Sequence, residues 1–303
     1  MEYIYSSTGI LSTETIFGDP FLGMDGLIVL FFALAALSVG SFLNVLIYRL
    51  PLILQSKWKN EANLILGFKP TPQKKEINLF LPPSHCPTCQ QQLRYRDNIP
   101  IISWVALSGK CKGCGSPIPL RYPAVELLSL LSFFVAIAVW GYTYTTILYL
   151  IFLWSLIALA FIDYETGLLP DEITQPILWI GLIAPQLYDT EPNFPSLYDA
   201  LAGALIGYIS MWSIYWVFKI ITTKEGMGHG DFKLFAVIGA WLGWRALPEV
   251  GLIAASLGLL FVFSFQLLAR FKLTTIQINP AIPFGPFLSA AGCVTLLLQA
   301  NTG

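Results

Sequence analysis

The chain has 303 residues, of which 55% are hydrophobic and only 12% are charged, and its formal net charge is −1. A soluble globular domain carries about 25% charged residues, so this composition excludes an ordinary soluble protein. The near-zero net charge and the lack of a long basic tract give no sign of a nucleic-acid partner.

Apolar stretches recur along the chain, and many are close to the roughly 20 residues that a helix needs to cross a bilayer. We therefore predict an all-α polytopic membrane protein of about eight transmembrane helices, surrounded by membrane lipid. The connections at 141–143 and 247–250 are short, so each flanking pair has the alternative of being one long kinked helix. The predicted spans are 26–48, 122–141, 143–162, 170–188, 197–218, 232–247, 250–270 and 281–300.

Lysine and arginine residues are distributed unevenly between the predicted loops. With eight spans, 16 of the 17 fall on one side, eleven of them between Arg49 and Arg121, and only Arg245 falls on the other. By the positive-inside rule the side with 16 is cytoplasmic, and both termini lie outside. The residues before the first span contain no Lys or Arg, so we expect an uncleaved first helix rather than a signal peptide. The predicted divisions are an extracytoplasmic tail 1–25, a first helix 26–48, a cytoplasmic loop 49–121 and a seven-helix membrane core 122–303.

The cytoplasmic loop contains two C-x2-C pairs separated by 21 residues, formed by Cys86, Cys89, Cys111 and Cys114. Four thiolates suit the tetrahedral geometry of zinc and leave no open position for water, so we predict one structural zinc. The alternatives are free or disulfide-bonded cysteines, and the reducing cytoplasmic side argues against disulfides. Residues 51–84, rich in Lys, Gln, Asn and Pro, are predicted to form an irregular link that leads into the cysteines.

Two aspartates mark the predicted cytoplasmic edge of the membrane. Asp163 ends a long apolar run and Asp231 begins another. Two adjacent carboxylates share one proton near neutral pH, which supplies a base and an acid as in aspartic proteases. Asp231 has the alternative of being an interfacial or capping residue, and Asp171 has that of a helix-start residue. These arguments alone do not rank Asp163 above Asp171 as the partner of Asp231.

Several other residues have expected supporting roles. Gly228 and Gly230 would let the backbone approach a substrate strand or a facing helix. Lys233 is a candidate substrate-positioning charge, with the alternative that it snorkels to lipid phosphate. Glu126 is expected to pair with Arg121. In the first span, the polar residue Asn44 is expected to bond to another helix.

Six motifs occur in an order typical of one family, and they cover most of the chain from the first span onward. They are "GSFLNVLIYRLP" (40–51), the tetracysteine loop, "LRYPAVELL" (120–128), "FIDYETGLLPD" (161–171), "GMGHGDFKL" (226–234) and "PFGPFL" (283–288). With this set the chain resembles the bacterial type IV prepilin peptidases, the leader peptidases and N-methyltransferases of pilus and type II secretion systems. These are G-x-G-D-type intramembrane aspartyl proteases, and their catalytic aspartates match Asp163 and Asp231.

The resemblance implies an inner-membrane enzyme with prepilins or pseudopilins as substrates. It implies cleavage of a basic leader after a glycine on the cytoplasmic face, followed by N-methylation with S-adenosylmethionine. The chain has no Gly-rich nucleotide fingerprint that would place the S-adenosylmethionine site. The alternative function is a proton-coupled transporter with a zinc-bound regulatory loop. A transporter typically has acids near mid-span and often two related halves, whereas the acids here are predicted at one face and the sequence shows no internal repeat.

Overall fold

The computed structural model describes residues 26–68, 78–187, 194–224, 226–270 and 282–300. The predicted extracytoplasmic tail 1–25 lies outside the described residues. The described part is helical, apart from loops and two isolated antiparallel bridges. Its α-helices are α1 (Gly26–Ile65), α2 (Ile102–Ala106), α3 (Arg121–Trp140), α4 (Tyr144–Thr166), α5 (Asp171–Leu187), α6 (Leu197–Thr222), α7 (His229–Leu242), α8 (Leu247–Arg270) and α9 (Gly285–Ala300).

Neither predicted pair is one kinked helix, but the second break does not lie at the predicted connection 247–250. Those residues form the first turn of α8, and the chain breaks earlier, at Gly243. Gly141 ends α3 with φ 66°, a left-handed value that glycine adopts without a Cβ penalty. Thr143 then caps α4, because its side chain accepts the backbone N–H of Thr146. Gly243, with φ 78°, ends α7 in the same way. The sequence therefore breaks each helix at a glycine.

Five helical segments of the described structure are long and apolar enough to cross a membrane. They include α1, α3, α4, α6 and most of α8. The remaining long helices, α5, α7 and α9, have 17, 14 and 16 residues. A helix of 14 residues is only about 21 Å long, and almost every residue of α7 is buried by protein. The structure thus supports a polytopic helical membrane protein, although the count of eight spans is not confirmed.

The first helix is much longer than the predicted span 26–48. It continues through Pro51 and ends at Ile65, so the prediction of an irregular link is wrong for residues 51–65. Proline removes one backbone hydrogen bond, but the residues that follow it are mostly Leu, Gln, Lys, Glu and Ala, which are good helix formers. At 40 residues α1 is about 60 Å long, twice the hydrocarbon thickness.

Close packing around α7 places its ends next to its neighbours. Gly203 of α6 and Gly239 of α7 face each other, and a Cβ on either would overlap the backbone of the other. On the opposite side Trp241 stacks on Phe152 of α4, with ring centroids 4.7 Å apart. The central helix therefore packs on α6 through its glycine and meets α4 through Trp241 near its end, so its first turn points toward the last turn of α4.

The helix α9 runs antiparallel to α4. Gly285 at its start contacts Asp163 near the end of α4, while Gly292 contacts Leu156 two turns earlier in α4. The beginning of α9 therefore lies at the same end of the helix bundle as the end of α4 and the beginning of α7.

Candidate active site and metal centre

Asp163 lies in the last turn of α4, where the chain is about to leave the helix. Its backbone carbonyl accepts the N–H of Gly167, whose φ of 66° ends the helix. The Asp163 side chain is only 6% exposed, and its Oδ2 accepts the backbone N–H of Gly285 at 2.9 Å. A carboxylate removed from water in this way needs such a partner.

Asp231 lies in the first turn of α7 and is also 6% exposed. The helix is capped by Gly228, and the Asp231 carboxylate leans over that glycine, with Oδ2 3.7 Å from where its Cβ would be. The Asp163 carboxylate is close enough to act electrostatically on Asp231. Two buried carboxylates that act on each other in this way cannot both ionise cheaply.

The connection from α4 to α5 packs directly on the start of α7. At Gly230 a Cβ would lie 2.8 Å from Leu169 Cβ and 3.1 Å from Leu169 Cδ1. Only a residue without a side chain fits there, because real Cβ contacts are essentially never that short. The glycine therefore lets the segment after Asp163 meet the segment before Asp231.

Asp171, the competing candidate, lies outside this buried pair. It begins α5, as expected of a helix-start residue, and is about half exposed. Its Oδ1 accepts a hydrogen bond from Lys233 Nζ at 2.6 Å. Lys233 is thus paired with Asp171 and ties the starts of α5 and α7 together.

The cysteines of the two C-x2-C pairs come together in space. The four Sγ atoms lie within 4.8 Å of one another and are able to hold one metal ion, compatible with zinc. The two segments have the same hydrogen bonds: Cys86 N–H donates to Gln91 O, and Cys111 N–H donates to Ser116 O. In each segment the residue four positions after the first cysteine has a positive φ and donates its N–H back to that cysteine's carbonyl. The site is therefore built from two copies of one turn.

Two chain regions match known families. Residues 34–140 match the family described as bacterial peptidase A24 N-terminal domain, and residues 150–263 match the type IV leader peptidase family. The chain belongs to the type IV leader peptidase family. Both aspartates lie in the leader peptidase match and all four cysteines in the N-terminal match, whereas Gly285 lies outside both. Membership and the five apolar segments identify a multi-pass inner-membrane protein.

Curated relatives named prepilin leader peptidase/N-methyltransferase are similar over most of the chain. The protein of Pseudomonas aeruginosa is 45% identical over 87% of this chain and 88% of its own length. That of Dickeya chrysanthemi is 43% identical over 89% of this chain and 92% of its own length. The Aeromonas hydrophila protein is 45% identical over 90% of this chain and 92% of its own length. No solved structure matches, and these relatives give no support to the transporter alternative.

In this leader peptidase family member, neighbouring protein groups favour the thiolate form of two cysteines. The backbone N–H of Cys89, followed by the hydroxyl of Ser116, lowers the pKa of Cys86 to about 5. The same Ser116 hydroxyl, 3.1 Å from Cys114 Sγ, lowers the pKa of Cys114. The thiolate is the form that binds metal, and four cysteine sulfurs at this spacing fit a zinc ion.

The loop that carries the cysteines is anchored to two helices by buried charged residues. Arg49 of α1 donates to the carbonyl oxygens of Asn78 and Pro82, at 3.0 and 2.6 Å. Glu126 of α3 accepts the backbone N–H of Ile101 at 2.7 Å. These contacts join α1 and α3 to the segments before and between the two cysteine pairs.

The expected pairing of Glu126 with Arg121 is wrong. Arg121 instead pairs with Glu165, two residues after Asp163, because the start of α3 lies beside the end of α4. The expectation for Asn44 is confirmed, since its Nδ2 donates to the carbonyl of Tyr122 on α3 at 3.0 Å.

Sequence reasoning missed the roles of Gly285 and Arg49. The motif "PFGPFL" contains Gly285, but its spacing does not reveal the contact with Asp163. Arg49 was read only as a charge that sets orientation, yet it is 8% exposed and binds the loop.

Proposed function

We propose that this protein cleaves the leader peptide from type IV prepilins or related pseudopilins and N-methylates the new terminus. The buried pair Asp163–Asp231, at adjacent helix ends, is the observation that carries the peptidase assignment. The names of relatives more than 40% identical support both activities. The match of residues 150–263 to the leader peptidase family supports the first of them.

In the proposed reaction the carboxylate pair acts as base and acid around one peptide bond. The ionised member takes a proton from water, and the oxygen of that water forms a bond to the scissile carbonyl carbon. The protonated member gives its proton to the leaving nitrogen as the carbon–nitrogen bond breaks. The products are a leader with a free carboxylate and a pilin with a protonated free amine, because the proton left on the new carboxyl group passes to the amine, and the dyad ends with one proton, as it began.

The glycines around Asp231 have different proposed roles. Gly228 is exposed, and a Cβ there would lie at an ordinary van der Waals distance from Asp231 Oδ2, 3.7 Å. Its backbone is therefore open to an extended substrate. Gly230 is occupied by Leu169 and serves the packing of the site. Lys233 is assigned to holding the start of α5 through Asp171 rather than to binding the substrate.

We propose that the dyad faces the cytoplasm, together with the 49–121 loop. The ends of α4 and the starts of α3, α7 and α9 meet at one end of the bundle, which carries Arg121 and Lys233, while Arg245 lies at the other. The distribution of cations supports this orientation, with both termini outside.

One zinc ion held by Cys86, Cys89, Cys111 and Cys114 is proposed as structural. Four thiolates close the coordination sphere, so the ion supplies folding energy to the loop and no activated water. S-adenosylmethionine is the proposed methyl donor, and we assign none of the described residues to it.

Mass spectrometry of a purified prepilin mixed with the purified protein tests the proposal. Without S-adenosylmethionine the expected product has lost the leader mass, and with it the product gains one further methyl mass. The Asp163→Asn protein in the same detergent is the control for contaminating proteases. An intact prepilin after prolonged incubation with well-folded parent protein contradicts the peptidase, and a cleaved but never methylated product contradicts the second activity.

A further inference from the structure

Gly285, the first residue of α9, lies directly on the side chain of Asp163. Its N–H donates to Asp163 Oδ2 at 2.9 Å, and both residues are buried. A methyl group at position 285 would lie 2.5 Å from Oδ2 and 3.0 Å from Cγ of Asp163. No residue with a Cβ therefore fits at position 285 while the carboxyl group keeps its place.

The chain around Gly285 leaves this N–H free for Asp163. Pro286 has no N–H, and the N–H groups of Phe287 and Leu288 both donate to the carbonyl of Phe284. The first N–H groups of a helix have no partner inside the helix. Within the described first turn of α9, the N–H of Gly285 is thus the donor that remains for a side chain from another helix.

Asp163 needs this donor because of its position in its own helix. It lies in the last turn of α4, where the unpaired carbonyls make a negative charge unfavourable. The start of α9 brings the opposite end of a helix dipole to the carboxylate. Two helices that meet at Asp163 and Gly285 therefore hold one carboxylate that neither α4 nor water would stabilise there.

We propose that Gly285 is a positioning residue for prepilin cleavage, acting by holding the Asp163 carboxylate in place opposite Asp231. The inference rests on the proposed function, since it assigns a role in that reaction. Gly285 itself touches neither substrate nor water in this role. Its effect is exerted through the orientation of Asp163.

The test compares Gly285→Ala with Gly258→Ala, purified in the same detergent. At Gly258 of α8 a Cβ would have only ordinary contacts, the nearest to Phe287 at 3.7 Å. For Gly285→Ala we expect kcat for prepilin cleavage to fall by about 100-fold, as for a misplaced catalytic group, with KM within about threefold of the parent. Gly258→Ala should keep both constants. Cleavage by Gly285→Ala within about threefold of the parent kcat overturns the proposal, as does a loss confined to KM.

A double-mutant cycle decides the case in which Gly285→Ala also lowers Tm. If the added methyl strains the protein through Asp163, the fall in Tm should largely disappear when Gly285→Ala is made in an Asp163→Ala background. An equal fall in both backgrounds means that α9 is disrupted for another reason, and the proposal fails. If Asp163→Asn still cleaves prepilin, the proposed function fails instead, and the cycle reports on the contact alone.

Discussion

The two buried aspartates meet different surroundings although they lie side by side. Asp231 is in the first turn of α7, where the helix dipole favours a carboxylate. Asp163 is in the last turn of α4, where the dipole opposes one, and it depends on a donor from α9. The pair therefore draws on the ends of three helices, and a small movement of any of them changes its geometry.

Replacing either aspartate by asparagine should abolish cleavage. An amide is nearly the same shape but cannot alternate between acid and base, so we expect Asp163→Asn and Asp231→Asn each to lose at least about 1000-fold in kcat. Asp171→Asn is the matched control, because it removes a half-exposed ion pair with Lys233 that contributes about 0–1 kcal/mol. It should cleave within a few-fold of the parent. The measurement is prepilin cleavage followed by mass spectrometry, and near-parent activity of either dyad variant refutes the pair.

A side chain at Gly230 should damage cleavage without altering any charge. Gly230→Ala and Gly230→Val would push Leu169 away, and overpacking of this kind costs typically 1–3 kcal/mol. We expect a graded fall in both Tm and kcat, larger for valine. Gly251→Ala is the control, since its Cβ would have only one distant neighbour, Phe235 at 3.9 Å. Unchanged activity in Gly230→Val would show that the packing of Leu169 on α7 does not matter to the site.

The candidate aspartates could be found from the sequence, but the residues alone did not show which two form the pair. Charge and hydropathy found Asp163, Asp171 and Asp231, and only the family resemblance chose among them. The structure separates them physically, because Asp171 is exposed and paired with Lys233, whereas Asp163 and Asp231 are both buried. The partner of Gly285 is 122 residues away in sequence, and it depends on how α9 packs on α4, which no local pattern encodes.

At the scale of elements, the cysteine loop consists of two turns with the same internal hydrogen bonds. Each turn presents two thiolates, and neither can close a tetrahedral site alone. A metal ion bound there would join the two turns through all four thiolates, in addition to the contact of Cys86 Sγ with Ser116 Oγ.

The proposed zinc site predicts the metal content of the protein and the stability of the cysteine loop. The purified protein should carry about one zinc per chain by elemental analysis, and Cys86→Ser or Cys111→Ser should lose most of it, because the ion stabilises the folded loop directly. Cys293→Ser, which changes a cysteine of α9 outside the cluster, should keep the zinc. Cleavage should fall only partly in the zinc variants, since no ligand belongs to the dyad. Fresh, chelator-free protein without zinc would refute the site.

Helix existence was predictable, but helix length was not always so. Apolar stretches located α3, α4 and α6 to within about four residues at each end, since both lipid and protein cores demand such stretches. The helical structure of residues 51–65 was not predicted because this segment mixes Lys, Gln and Asn with Leu, a composition that helices outside a membrane tolerate well. A search for membrane spans does not detect a helix that continues beyond the lipid.

At the scale of the whole molecule, one end of the bundle holds both aspartates, the ion pairs Arg121–Glu165 and Lys233–Asp171, and the attachment of the cysteine loop. The other end holds Asp199, which accepts a hydrogen bond from Trp244 at 2.9 Å. The two ends therefore carry different polar groups.

Cysteine labelling in intact cells and inverted membranes should reveal the orientation. In a Cys293→Ala background we expect Glu165→Cys to react with an impermeant maleimide only in inverted membranes, and Arg245→Cys only in intact cells. The background protein without an added cysteine corrects for any reaction of the zinc ligands. Labelling of position 165 from outside the cell would reverse the proposed orientation, and labelling of both positions from one side would contradict the arrangement of the helices.

The hydrogen bond between Gly285 and Asp163 also has a consequence for the timing of biosynthesis. The two residues are 122 positions apart, so at about 5–20 residues per second a ribosome needs roughly 6–24 s to pass from one to the other. For that interval the nascent chain has α4 in the membrane without the amide that holds its carboxylate. Unfinished chains would therefore cut a prepilin that is inserted beside them far more slowly, and efficient proteolysis would begin only after α9 has left the translocation machinery.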